Sequence, residues 1–112
     1  MYLETKPVLH LQGKDFEKEV IQSEIPAVVD FYADWCAPCR MVSPVIEALS
    51  REYAGRAKFV KINVDEDPEI AEKFEIRSIP TIMVFKKGEV ASRTVGSGPA
   101  AIYKQRIDAA LN

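Results

Sequence analysis

The sequence predicts an α/β fold: a mixed central sheet of about five strands flanked by about four helices. Three observations carry this reading. Runs rich in β-formers alternate with segments whose apolar residues recur at helical spacing, which implies right-handed crossovers between parallel strands. Near the C-terminal end, two strand-like runs are separated only by Lys87-Gly88, so a hairpin adds antiparallel pairing. The length of 112 residues fits one domain, taken as residues 1–112, and leaves little room for a second.

Each element has its own signal. Val8, Leu9 and Leu11 suggest a short first strand, and Phe16, Val20 and Ile21 follow at helical spacing with Asp15 as the candidate N-cap. After Pro26, the run Ala27-Val28-Val29-Asp30-Phe31-Tyr32 is apolar on both faces apart from Asp30. That pattern belongs to a strand in the middle of a sheet covered on both sides. Val42, Val45, Ile46, Leu49 and Tyr53 mark one face of a helix from about Cys36 to Tyr53, with a kink expected at Pro44 and an end at Gly55. Phe59, Val60, Ile62 and Val64 make a further strand, and Pro68 opens a short helix through Ile70, Ala71 and Phe74. Thr81 to Phe85 and Val90 to Val95 form the hairpin. A final helix begins near Pro99 and buries Ile102, Tyr103, Ile107, Ala110 and Leu111. The resulting order is β-α-β-α-β-α-β-β-α.

Composition excludes several function classes. With 47% hydrophobic and 29% charged residues the chain is ordinary globular material, neither disordered nor fibrous. Its 15 basic and 17 acidic residues are mixed along the chain, and no basic run is present to track phosphates. Nucleic-acid binding therefore gets no support. The segment Met1-Tyr2-Leu3-Glu4-Thr5-Lys6 lacks the apolar core of a secretory signal, and runs such as Ala27-Val28-Val29 are far too short to span a bilayer. The expectation is a cytoplasmic protein without membrane contact.

The two cysteines, Cys36 and Cys39, stand three positions apart in Trp35-Cys36-Ala37-Pro38-Cys39. A bridge across so short a loop constrains little chain entropy, so stapling is a poor explanation and chemistry a better one. The pair sits where a central strand feeds a helix, at the sheet edge where sites form in open α/β folds. Unpaired N–H groups and the macrodipole at a helix N-terminus lower a thiol's pKa. Cys36, at the cap, is thus the expected nucleophile, with Cys39 a turn further in and less exposed. The i, i+3 spacing allows a disulfide to close within one helical turn, and Pro38 costs no hydrogen bond there. Structural zinc needs four Cys or His ligands, and His10 is the only histidine. His10 reads as structural. Arg40 follows Cys39, which rules out the c-type haem signature. A pair of inert buried thiols is the remaining bland reading.

Asp30 interrupts an apolar strand. If buried, its pKa is raised and it becomes a proton acceptor or donor for a neighbouring thiol; the alternative is an edge strand with Asp30 in solvent. Lys61, on the next strand, either pairs with Asp30 and moderates its titration or stands solvated. Trp35 offers flat contact area beside Cys36, or is an ordinary half-buried tryptophan. Ile79-Pro80-Thr81 leads directly into a strand, where proline is tolerated and a cis bond suits a tight turn.

Several segments, in this order, resemble the thioredoxin family over nearly the whole chain. They are Val29-Asp30-Phe31, Trp35 to Cys39, Lys61-Ile62-Asn63-Val64-Asp65, Arg77-Ser78-Ile79-Pro80-Thr81, Phe85-Lys86-Lys87-Gly88 and Val95-Gly96. The resemblance implies the thioredoxin fold and a disulfide reductase that works on client proteins through a redox-active Cys36–Cys39 disulfide, with no bound cofactor. Cys36 would attack the client and Cys39, deprotonated with help from Asp30, would resolve the mixed disulfide. Pro80 would be the family's cis-proline, and Trp35, Ala37, Pro38, Ile79, Pro80 and Gly96 would form the client-binding surface. Electrons would come from an NADPH-dependent flavin reductase, and a monomer is expected. Two departures stand out: Ala37 where the family most often has Gly, and Tyr32 where it often has Trp. Rival readings are an oxidase or isomerase, a glutaredoxin-like enzyme, or a non-catalytic binding module.

Overall fold

The computed structural model describes residues 8–112, so the reading of the N-terminal hexapeptide and a domain start at residue 1 lie outside the described residues. The chain runs through β1 (Val8–His10), a 3-10 turn (Gly13–Asp15), a π-helical turn (Glu17–Ile21), β2 (Ala27–Tyr32), α1 (Ala37–Glu52), β3 (Lys58–Asn63), α2 (Pro68–Lys73), β4 (Thr81–Lys86), β5 (Glu89–Val95) and α3 (Ala100–Leu111). The five strands lie in the order β1-β3-β2-β4-β5. β1, β3 and β2 are parallel, whereas β4 runs antiparallel to both β2 and β5. The sheet is mixed, as the alternation and the hairpin require.

β2 takes the centre because both of its faces are apolar: Ala27 to Phe31 are all buried. Side chains alternate across a strand, so successive residues feed two separate cores. On one face Val8, Val28, Phe59, Ile82 and Val84 meet α1 through Val42, Ile46 and Leu49, and α3 through Tyr103 and Ile107. On the other, Val29, Phe31, Val60, Ile62 and Met83 pack with Phe16 and Val20, and Phe74 closes over them. Phe16, Phe74 and Phe85 stack there with ring centroids 5.2 to 5.6 Å apart.

Some local readings are corrected. The first helix is a 3-10 turn followed by a π turn; its apolar anchors, Phe16 and Val20, are buried as their spacing demands. Asp15 lies inside the 3-10 turn rather than capping it, and the residue at the cap, Gln12, makes no side-chain bond. α1 runs from Ala37 to Glu52 with Pro44 inside it, where the sequence places that proline. Pro44 is solvent-exposed, so water can satisfy the carbonyl it leaves unpaired. Ile102 and Leu111 are half-buried in α3, while Tyr103, Ile107 and Ala110 are buried. The hairpin turns through Lys87 (φ 50°) and Gly88 (φ 81°), the left-handed pair that matches strand twist. Gly88 is demanded twice, since a Cβ there would also lie 3.1 Å from the Ile21 carbonyl oxygen.

Candidate active site

β2 ends at Tyr32, and a short turn through Ala33–Trp35 delivers the chain to the N-terminus of α1. Cys36 is the N-cap, in extended conformation (φ −88°, ψ 107°), and its Sγ accepts the backbone N–H of Cys39 at 3.2 Å. Pro38 occupies the first turn, where no donor is needed. The Cα atoms of Cys36 and Cys39 are 5.3 Å apart and the two sulfurs are joined as a disulfide. Both cysteines are 3% exposed, so Cys39 is not the better covered of the two. Both cysteines share one small buried cluster with Ala33, against which Tyr32, Val64 and Ile79 pack.

The loop before β4 comes up against this cluster. Cys36 Sγ lies 3.7 Å from the Ile79 carbonyl oxygen, and the Ile79–Pro80 peptide is cis. Thr81 Oγ1 donates to the Ser78 carbonyl at 2.6 Å, and the Gly96 N–H donates to the Pro80 carbonyl at 2.8 Å. Gly96 (φ 86°) thus ties the end of β5 to the proline loop, and the Tyr103 hydroxyl donates to its carbonyl at 3.5 Å.

Trp35 is 69% exposed, which settles it as surface rather than half-buried. Its indole N–H donates to Asp65 Oδ2 at 2.8 Å, so the exposed ring is held in place. Asp65 is itself set by its N–H, which donates to Asn63 Oδ1 at 2.9 Å. Ala37 and Pro38 are exposed at the start of α1 next to it. Asp65 was not singled out from sequence, and nothing local in the chain announces a partner 30 residues from Trp35.

Beneath the disulfide lies Asp30, 4% exposed on the central strand, so the edge-strand alternative is removed. Its Oδ1 has no protein hydrogen-bond partner. A cavity of about 140 Å³ connects it to Cys39, Ser43, Arg40 and Lys61. Burial pushes the Asp30 carboxyl up to about 7, against an opposing pull from the charge of Lys61. Lys61 is half-buried and its Nζ sits 5.5 Å from the centroid of the Tyr32 ring. Arg40 turns its guanidinium onto the Asp34 carbonyl, donating at 2.6 Å across the rim of the cavity. Ser43 and Arg40 also escaped the sequence reading, because helical spacing marks their helix face but not the cavity they line.

The structure therefore brings Cys36, Cys39, Asp30, Lys61, Trp35, Ile79 and Pro80 to one end of the sheet, and Gly96 is hydrogen-bonded to that group. His10 is at the exposed side, with Nε2 3.4 Å from the Tyr32 hydroxyl. Among the described residues, no group of three or more His, Cys, Asp or Glu is placed to hold a metal ion, and no helix is long and apolar enough to cross a membrane. Chemically, the arrangement offers a dithiol/disulfide couple at a helix N-terminus, with a cavity beside it lined by a carboxyl that burial pushes up to about 7.

Comparison with known proteins gives a consistent answer. The thioredoxin family model matches residues 7–109. The chain is 48% identical over 105 residues to a thioredoxin of Porphyra purpurea, covering 94% of each protein. It is 52% identical over 87 residues to a thioredoxin of Rickettsia bellii, covering 78% of this chain and 83% of that one. Against thioredoxin 1 of Nostoc sp. the identity is 45% over 93 residues, covering 83% and 87%.

Proposed function

The chain belongs to the thioredoxin family, and on that premise we propose how its residues divide the work. The activity itself is thiol–disulfide oxidoreduction: disulfides of client proteins are reduced through the Cys36–Cys39 dithiol/disulfide cycle. The observation that carries the reading is the nucleophile's address, a sulfur at the N-cap of α1 with its partner one turn away and a buried carboxyl below.

In the reduced protein, Cys36 is the thiolate, because free N–H groups and the dipole of α1 favour negative charge on it. It attacks one sulfur of the client disulfide. That S–S bond breaks, a Cys36–client bond forms, and the other client sulfur leaves as a thiolate that takes a proton from solvent. Cys39 then gives its proton to ionised Asp30 and attacks the Cys36 sulfur, so the Cys36–Cys39 bond forms as the second client thiolate departs. Two electrons have passed from the dithiol to the client. An Asp30 midpoint of about 7 suits this step, since a base near the working pH is both available and strong enough. Lys61 moderates that midpoint. The surface of Trp35, Ala37, Pro38, Ile79, Pro80 and Gly96 receives the client; the exposed, anchored Trp35 and the carbonyl of Ile79 beside the sulfur support this.

Regeneration falls to an NADPH-dependent flavin reductase that meets the same surface, and no bound cofactor is needed because the disulfide itself carries the electrons. The protein acts as a monomeric, one-domain electron carrier that maintains thiols in the cytoplasm, the compartment whose reducing poise suits a reductase. Insulin reduction coupled to NADPH and a thioredoxin reductase tests the whole cycle. Cys36→Ser is expected to abolish turnover, and Cys39→Ser to accumulate a client-linked mixed disulfide. Full activity in both variants refutes the mechanism. Equilibration in a glutathione redox series checks direction: a potential above that of the cytosolic pool overturns the reductase reading in favour of an oxidase.

A further inference from the structure

Three neighbouring strands place three titratable side chains in one transverse row. His10 of β1 is the register partner of Lys61 of β3, which is in turn the partner of Asp30 of β2. Partners in parallel strands project from the same face, here the face covered by α1 and α3. Exposure falls along the row, from exposed His10 through half-buried Lys61 to buried Asp30. Tyr32, two residues beyond Asp30, shares that face and lies alongside the row. Its ring meets the Lys61 ammonium at 5.5 Å, its hydroxyl lies 3.4 Å from His10 Nε2, and that nitrogen is 3.3 Å from Glu66 Oε1.

A half-buried lysine left to itself extends to water, because its long stem has rotamer freedom to regain. Asp30 does not hold it, since no direct ion pair joins them and Oδ1 has no hydrogen-bond partner. On β4 the residue opposite Asp30 is apolar Ile82. From α1, Arg40 is engaged with the Asp34 carbonyl. The aromatic face of Tyr32 is the contact the structure gives the ammonium, an attraction that grows as water is excluded. Asp34 is the other acidic residue lining the cavity. At a position where the family often carries Trp, the phenol adds a hydroxyl that reaches the His10–Glu66 pair.

We infer that Tyr32 is a positioning residue: its ring seats the Lys61 ammonium at the mouth of the Asp30 cavity, with its hydroxyl directed at His10 Nε2. The inference deepens the proposed function and rests on its assignment of Asp30 as the proton acceptor.

The test is an NMR titration of the Asp30 carboxyl carbon in the oxidised full chain, for wild type, Tyr32→Leu, Lys61→Met and the double variant. Tyr32→Leu is expected to raise the Asp30 midpoint by about half a pH unit or more, in the same direction as Lys61→Met. The double variant should move no further than Lys61→Met alone. Tyr32→Phe, which keeps the ring, should show less than half of the Leu effect. A midpoint that stays put or falls in Tyr32→Leu overturns the inference. So does a Tyr32→Leu shift as large without Lys61 as with it, which would mean the ring acts through hydration of the cavity. If the Leu variant does not fold, Tyr32→Met removes the aromatic face at similar length and is read the same way. Failure of the Asp30 assignment would show separately, as an Asp30→Asn variant whose resolution rate is unchanged.

Discussion

The two faces of the sheet are made from the same strands yet treat polarity in opposite ways. Behind β2, Val29 and Phe31 enter a core built of Phe16, Val60, Ile62, Met83 and Phe85, which among the described residues holds no buried charged group. In front, Asp30 stands between them in sequence and faces a cavity shared with Cys39 and Lys61. One face is filled for stability alone. The other gives up some of that stability to hold a carboxyl where water cannot easily solvate it, in a cavity shared with Cys39. A single strand thus carries both roles, separated only by the alternation of its side chains.

The contrast can be broken from either side. The largest effect is expected from Phe31→Ala on the filled face, a loss of about 3 to 5 kcal/mol from removed contacts and the cavity left behind. Denaturant unfolding measures it, and at temperatures where the variant stays folded its turnover of client disulfides should hold. A stability cost below 1 kcal/mol would show that this face is not the dry core described.

On the other face the sign reverses. Asp30 is neutral in the folded protein at pH values where the unfolded chain has ionised it, because its carboxyl rises from 3.8 to about 7 on folding. Its contribution is therefore intact below about pH 4 and is lost as pH rises towards 7. A shift of this size corresponds to about 4 kcal/mol, of which burying an amide in its place returns a part. Asp30→Asn should accordingly stabilise the protein by about 3 kcal/mol at pH 8 and have little effect at pH 4. The same variant should slow resolution of the mixed disulfide more than the initial attack in stopped-flow traces. An equal gain at both pH values would show that Asp30 is not titrating with folding, and unchanged rates for both steps would remove it from the mechanism.

The smallest effect sharpens the comparison at the rim. Trp35→Phe keeps an exposed ring but loses the 2.8 Å bond to Asp65. Stability should fall by about 1 kcal/mol or less. KM for a protein client should rise a few-fold with kcat little changed; an unaltered KM would mean the fixed orientation of the ring does not matter for docking.

How much of this could be read in the chain depends on the reach of each interaction. The Cys36–Cys39 junction was legible because everything that defines it, a β run, a helical run and the spacing between, is local. Asp30 was legible as the one polar residue in an apolar strand. The first helix kept its buried Phe16 and Val20 but not its geometry, since 3-10 and π turns present similar apolar spacing over so short a span. The cis state of Pro80 leaves no trace in periodicity. Contacts between Trp35 and Asp65, or between Tyr32 and His10, join residues 30 and 22 positions apart, and only the strand order decides that they meet. The equal cover of the two cysteines belongs to tertiary packing, which spacing does not show.

Cys36 does a second job that outlasts its chemistry: its sulfur receives the backbone N–H of Cys39 in the first turn of α1. Serine is among the preferred residues at such a cap, with an oxygen that can receive the same amide. A single base change turns a cysteine codon into a serine codon, so a descendant lineage could abandon electron transfer in one step and keep the architecture whole. The route from carrier to inert scaffold is open at this residue, and retreat along it would leave no scar in the fold.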